Sequence, residues 1–200
     1  RCRDTGPLPF RQPVYEAFTN SWESILEKYT AEHLNLGSIV IEFHYNAGMF
    51  DEDNENNLSN LQKIIITDNG SGLNEKSFSR LLNLRDNSKS KNNKGTGRIQ
   101  YLHYFDDTIF ESVYKVRDNN FRKICLTLSK KEAFLQANAI LRKDSDEETD
   151  IDKTYAKVEL HTILDYKNDA KFYNALLLSD VKSELITHFL LQLCGSRELL

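Results

Sequence analysis

The segment at residues 63–72, KIIITDNGSG, constrains the fold of this chain most strongly. Its first part, Lys63–Thr67, is a short apolar run of the kind that forms a strand buried on both faces. Asp68 follows directly, and Gly70 and Gly72 come at alternate positions after it. Glycine permits positive φ and lets a flat ligand approach the backbone closely. The segment therefore predicts a buried strand that ends in a polar, glycine-containing turn.

Asp68 has two interpretations at such a strand end. An ionised carboxylate there is a fixed acceptor for an exocyclic amine, and a charged acceptor makes the stronger kind of hydrogen bond. Asp-Asn-Gly is also a common turn sequence, so the segment can simply connect a strand to a helix. These residues alone leave both interpretations open.

A helix is predicted earlier in the chain, from Val14 onward. Glu16 and Asn20 are one turn apart and share a polar stripe with Glu23. The opposite face of this helix is predicted to be apolar: Val14, Phe18, Trp22 and Ile25. A carboxylate can deprotonate a water while a neighbouring amide oxygen coordinates Mg²⁺. An ordinary surface helix shows the same two stripes, and this alternative stays open.

A third segment, residues 88–102, places a glycine pair among basic residues where a helix is predicted to begin. Lys94 and Arg98 flank the pair formed by Gly95 and Gly97. Exposed amides at a helix N-terminus, with lysines nearby, form an anion site. The spacing matches neither a P-loop nor a Rossmann fingerprint. A flexible, solvated loop with a glycine turn is the alternative.

The other segments predict a single α+β domain spanning residues 1–200. Strands are predicted at residues 38–45, 108–116, 122–129 and 155–164, and further helices at 75–84, 95–105 and 176–193. Loops are predicted at residues 46–62, 85–94 and 142–153, the last of them acidic.

Composition excludes several functional classes. A net charge of −4 is not the basic character of a nucleic-acid binder. No apolar run approaches the roughly 20 residues that cross a bilayer, and no signal peptide is visible. Cys2, Cys125 and Cys194 are widely spaced, which predicts reduced thiols in the cytoplasm and no zinc site. Because the chain does not begin with Met, we expect it to be a segment of a longer protein.

Together, in this order, the three segments resemble the motifs of the GHKL ATPases. This family includes the B subunit of DNA gyrase, the ninety-kilodalton heat-shock chaperones, the MutL proteins, the MORC proteins and the sensor histidine kinases. Glu16–Glu23 matches its N box, Asp68–Gly72 its first glycine box and Gly95–Gly97 its second. The resemblance covers roughly residues 10–165.

The resemblance implies a Bergerat-type α/β sandwich, with a mixed, mostly antiparallel sheet and helices on one face. Glu16 would be the general base of ATP hydrolysis, Asn20 the Mg²⁺ ligand, and Asp68 the acceptor for the adenine amine. Residues 85–97 would form a mobile lid. The residues implied to contact ATP are Asn20, Asp68, Gly70, Gly72, Leu73, Lys94, Gly95, Thr96, Gly97 and Arg98.

Glu16 favours the hydrolysing branch of the family over sensor kinases, which resemble N-x-x-x-N at this box. The expected function is a conformational switch, chaperone-like, MORC-like or from microbial defence, with a possible nucleotide-dependent dimer. Its partners would be other domains of the same polypeptide or effector proteins. A non-hydrolysing ATP sensor and a phosphotransfer kinase stay open. One departure is Ala156, which stands where chaperone-type members carry a threonine; Thr154 is a neighbouring substitute.

Overall fold

A computed structural model describes residues 12–45, 61–82, 97–117, 120–137, 139–164 and 181–189. The helices are α1 (Gln12–Lys28), α2 (Glu75–Leu82), α3 (Gly97–Tyr104) and α4 (Glu132–Gln136), with a 3-10 helix at Ala31–Leu36 and a helical segment at 181–189. The strands are β1 (Ile39–Tyr45), β2 (Leu61–Asp68), β3 (Phe105–Arg117), β4 (Asn120–Ser129), β5 (Leu141–Thr149) and β6 (Tyr155–Ile163). None of the helices in this described part is long and apolar enough to cross a bilayer.

The described strands form one sheet in the order β1-β2-β6-β3-β4-β5. Every neighbouring pair is antiparallel. β6 comes late in the chain but lies in the middle of the sheet, between β2 and β3, so it joins the first part of the chain to the second. In the register of β2 and β6, Asp68 lies opposite Ala156.

The two faces of the sheet differ because side chains alternate along each strand. Helices cover one face, where Ile64, Ile66 and Leu160 are fully buried with Val14 and Ala17 of α1. The other face is polar and carries ion pairs: Lys63 to Glu159 at 3.4 Å, Lys157 to Glu159 at 3.0 Å and Lys123 to Glu111 at 3.1 Å. The predicted sandwich, with helices on one face of a largely antiparallel sheet, is confirmed.

The apolar side of α1 makes two separate contacts. Ala17 belongs to the core against the sheet. Phe18 packs on Phe189 of the 181–189 segment, with ring centroids 4.4 Å apart, and Tyr15 stacks on His188 at 4.3 Å. Glu16 and Asn20 lie on the remaining, polar stripe, as the sequence predicts.

The predicted acidic loop at 142–153 is wrong for most of its length, because residues through Thr149 belong to β5. Within the described sheet, β5 is an edge strand that pairs with β4. Two of its acidic residues are paired with β4: Arg122 Nε lies 2.8 Å from Asp146 Oδ1, and Thr127 donates to Asp144 at 2.6 Å. Charged residues suit an edge strand because they discourage pairing with other chains.

Smaller differences occur at the element ends. Leu61 and Gln62 belong to β2, and Phe105 begins β3 and does not end the preceding helix. The short helix α4 was not predicted. Most of the predicted hairpin loop, residues 46–60, lies outside the described residues.

Asn69 joins three elements at the end of β2. Its side-chain Oδ1 accepts a hydrogen bond from Ser38 N–H at 2.8 Å, and its Nδ2 donates to Leu36 O at 2.8 Å. Its backbone carbonyl accepts from Lys28 Nζ at 2.6 Å. The end of β2 is thereby tied to the 3-10 helix, to the residue before β1 and to α1.

We expect Asn69→Ala to lower the free energy of unfolding by about 1–2 kcal/mol, because two side-chain hydrogen bonds are lost. Denaturant unfolding followed by circular dichroism measures this. Asn35→Ala, an exposed asparagine of the 3-10 helix, is the matched control and should leave stability nearly unchanged. Equal effects of the two substitutions would contradict the role given to Asn69.

Candidate functional site

Asp68 ends β2 with a buried side chain, only 3% exposed. Its Oδ1 accepts a hydrogen bond from Gly70 N–H at 2.9 Å. Burial raises the pKa of Asp68, while the Gly70 amide, the hydroxyls of Ser21 and Ser24, and the charge of Lys28 oppose this rise. A buried carboxyl with a perturbed pKa, supported by several polar groups, is typical of a functional site.

The turn after Asp68 lies directly on α1. A Cβ at Gly70 would stand 2.3 Å from Ser24 Oγ and 2.5 Å from the Ser24 carbonyl carbon, closer than any side chain tolerates. Ser71 N–H donates to Ser24 O at 3.0 Å, which secures the contact. Glycine at position 70 is therefore required by close backbone approach.

Gly72 has φ of 77°, a left-handed conformation that favours glycine. A Cβ there would stand 2.3 Å from Val113 O of β3. The next residue, Leu73, donates its N–H to Ser112 Oγ at 2.7 Å and packs against the core. Ser112 Oγ in turn donates to Tyr155 O at 2.7 Å. The glycine box is thus held by α1 on one side and by β3 and β6 on the other.

Thr154 contacts the glycine box, since its hydroxyl donates to Gly70 O at 2.6 Å. Ala156, which lies opposite Asp68, has no hydroxyl to offer. The hydroxyls near the Asp68 carboxyl come from α1, at Ser21 and Ser24. Neither serine belongs to the set of site residues that the sequence predicts. A detectable signal was Ser21, a polar residue in the stripe that also holds Ala17 and Ile25.

Glu16 and Asn20 form a pair on the polar stripe of α1. Asn20 Nδ2 donates to Glu16 Oε1 at 3.4 Å, and Asn20 is exposed. The amide oxygen of Asn20 is thus the atom not engaged with Glu16. Tyr101 of α3 is 2% exposed, and the charge of Glu16 and the side chain of Asn20 both act on the pKa of its hydroxyl. Tyr101 is not among the site residues that the sequence predicts.

The second glycine box is only partly described. Gly97 begins α3, close to the predicted start of this helix. Arg98 lies in the first turn, and its side chain is outside the described part. Lys94, Gly95 and Thr96, with the predicted lid, also lie outside the described residues, so their contacts with phosphate stay predictions.

Among the described residues, no three His, Cys, Asp or Glu side chains are grouped in a way that could hold a metal ion. Magnesium is commonly held by one or two protein oxygens together with the phosphates of a nucleotide. The amide oxygen of Asn20 fits that chemistry, because Asn20 is exposed and this oxygen is not engaged with Glu16.

Comparisons with known proteins identify a related fold. No protein-family model and no curated protein matches the chain. Among solved structures, it is similar to the ATPase region of Saccharomyces cerevisiae topoisomerase II, with TM-score 0.51 and 13% identity. It is also similar to the same region bound to ICRF-187 (dexrazoxane), with TM-score 0.50 and 13% identity.

Each match covers 82% of this chain and 42% of the topoisomerase chain, so the chain spans less than half of those structures. At this identity the similarity shows the fold. It agrees with the predicted α/β sandwich and does not favour the chaperone or MORC branch.

We expect Asp68→Asn to stabilise the nucleotide-free protein at neutral pH. Because burial raises the pKa of Asp68, the folded chain keeps this carboxyl protonated to a higher pH than the unfolded chain does. The stability it contributes is present below the ordinary pKa of 3.8 and is lost as pH rises through the higher folded value. Asparagine avoids that loss and can still accept from Gly70 N–H.

Denaturant unfolding of both proteins at neutral pH, and again below pH 3.8, measures this difference. The variant should have the higher free energy of unfolding at neutral pH, and the difference should disappear at the lower pH. A destabilised variant at neutral pH would mean that hydrogen bonds to the carboxylate outweigh its burial.

Proposed function

We propose that this chain binds ATP with Mg²⁺ and hydrolyses it slowly, using the nucleotide to switch the conformation of a larger assembly. The observation that carries the proposal is the position of two polar sites along α1. Ser24 contacts the glycine box beside Asp68, and Glu16 lies eight positions earlier. At 1.5 Å per residue they are about 12 Å apart along the helix. An extended nucleoside triphosphate fits between such sites.

Asp68 is suited to the base end of this site. Its side chain is held by Gly70 N–H, and the surrounding backbone is anchored to α1 and β3. A fixed, buried carboxylate recognises an amine donor strongly because little water competes for it. The exocyclic amine of adenine is such a donor, and guanine presents a carbonyl at the same position.

Glu16 and Asn20 are suited to the phosphate end. A carboxylate one helical turn from an amide can orient and deprotonate a water, which is general-base catalysis. The amide oxygen can bind a cation without adding negative charge near the phosphates. Bound Mg²⁺ would neutralise charge on the terminal phosphates.

The fold similarity to a topoisomerase II ATPase region supports nucleotide binding by this chain. The glutamate of the Glu-x-x-x-Asn motif supports hydrolysis over phosphotransfer to a protein. We propose that Lys94–Arg98 contact the phosphates, that residues 85–97 close as a lid, and that closure drives a nucleotide-dependent dimer or a contact with other domains. The proposed chaperone-like, MORC-like or defence role rests on the spacing of the boxes and on the Lys/Asn-rich composition.

Adenine nucleotides should raise the melting temperature, because a ligand that binds only the folded state stabilises it, by about 2.7 kcal/mol at 100 times Kd. GTP should produce a much smaller shift, since guanine has a carbonyl at the position where adenine has the amine that donates a hydrogen bond to Asp68. Differential scanning fluorimetry with ATP, ADP and GTP in the presence of Mg²⁺ measures this.

Asp68→Asn tests the same pocket from the protein side. It should weaken ATP binding by about 2 kcal/mol, the range for a hydrogen bond to a charged group. Titration calorimetry measures the affinity. Equal thermal shifts with ATP and GTP, together with unchanged ATP affinity in the variant, would mean that Asp68 does not bind adenine and only forms part of a turn.

Glu16→Ala and Asn20→Ala should fail in different ways. Removing the general base should reduce phosphate release by about 10²–10⁴-fold and leave ATP affinity nearly intact. Removing a Mg²⁺ ligand should weaken nucleotide binding itself. The experiment measures ATP affinity by calorimetry and phosphate release for each variant.

Glu32→Ala and Asn35→Ala are matched controls, because both residues are exposed on the 3-10 helix. They should behave as the unmodified chain does. If Glu16→Ala and Asn20→Ala also left ATP affinity and phosphate release unchanged, α1 would be an ordinary surface helix. ATP binding without phosphate release in the unmodified chain would identify an ATP sensor, and a phosphorylated protein product would identify a kinase.

A further inference from the structure

Tyr101 lies within α3, and it is buried in the core. It is among the largest fully buried side chains, and its ring packs edge-to-face on Phe110 of β3, with centroids 5.9 Å apart. The ring therefore belongs to the core. A phenylalanine would supply the same packing, so the hydroxyl needs a separate explanation.

The Tyr101 hydroxyl is buried, and no group in the described part of the chain meets it in hydrogen-bond geometry. A buried hydroxyl without a partner is destabilising by comparison with an apolar side chain. Its neighbours are nevertheless polar. Burial and the negative charge of Glu16 raise the pKa of Tyr101, and the side chain of Asn20 lowers it, so the hydroxyl lies within range of both polar side chains although it bonds to neither.

The Glu16–Asn20 pair is loosely connected as it stands. The single bond between them, from Asn20 Nδ2 to Glu16 Oε1, is 3.4 Å long, which is weak. Because Asn20 is exposed, its amide can rotate with little steric hindrance. A phenolic hydroxyl can accept one hydrogen bond and donate another at the same time. Tyr101 is thus able to bridge the two side chains.

We propose that Tyr101 is a positioning residue of the phosphate end: its hydroxyl accepts from Asn20 Nδ2 and donates to the Glu16 carboxylate. This inference rests on the proposed ATPase function. The bridge fixes the carboxylate that activates water. It also fixes the orientation of the amide, so that Asn20 Oδ1 is directed to the cation. Tyr101 touches neither the water nor the phosphates itself.

The test compares Tyr101→Phe with Tyr45→Phe. Tyr45 is a matched control because its hydroxyl is also buried without a described partner, on β1. Tyr101→Phe should reduce kcat for phosphate release about tenfold, as expected when the hydrogen bond that positions the general base is lost, and change ATP affinity less than twofold. Tyr45→Phe should change neither quantity. Unchanged kcat in Tyr101→Phe would overturn the proposal.

A second measurement does not require hydrolysis. The hydroxyl proton of Tyr101, assigned by its absence in Tyr101→Phe, should shift in the proton NMR spectrum of the Glu16→Gln variant, because a hydrogen bond to a carboxylate is replaced by one to an amide. The Glu32→Gln variant should leave it in place. If Glu16→Gln also leaves it in place, the bridge does not exist.

These two measurements separate the inference from the proposed function. A resonance that responds to Glu16→Gln in a chain that binds no ATP would show that the bridge exists while the ATPase function fails, and would overturn the catalytic purpose given to Tyr101. ATP hydrolysis that depends on Glu16 but not on Tyr101 would leave the ATPase function in place and overturn the inference.

Discussion

The contact between the glycine box and α1 determines the arrangement of the whole site. With no side chain at Gly70, the turn after β2 reaches the backbone of α1 at Ser24. This close approach brings the end of a buried strand against a helix that carries polar residues along one stripe. Any larger residue at position 70 would push the two elements apart and separate Asp68 from the hydroxyls of α1.

Burial of Asp68 follows from that contact and has an energetic consequence. Desolvation raises the pKa of its carboxyl, and a backbone amide, two serine hydroxyls and a lysine only partly compensate. This environment destabilises the ionised carboxylate of Asp68 when no ligand is bound. It favours a ligand that donates a hydrogen bond to that carboxylate. Functional sites often contain polar groups that lower the stability of the fold, because function requires these groups to be preorganised.

Long-range pairing supports the same region from the other side. β6 lies beside β2 although it comes near the end of the domain, and the residue before it, Thr154, donates to Gly70 O. Ser112 of β3 links Leu73 N–H to Tyr155 O. The glycine box is therefore held by segments far apart in sequence, and the fold must be nearly complete before the site exists.

Local patterns in the sequence determined much of this protein. Helical and strand periodicity predict α1, β2 and β6, and the strand-end position of Asp68 and the shared stripe of Glu16 and Asn20 follow from spacing alone. The tertiary structure alone decided that residues through Thr149 form an edge strand, because pairing with β4 brings Arg122 to Asp146 and Thr127 to Asp144. It also placed Tyr101 beside Glu16. Such contacts join residues far apart in the chain, and no local periodicity encodes them.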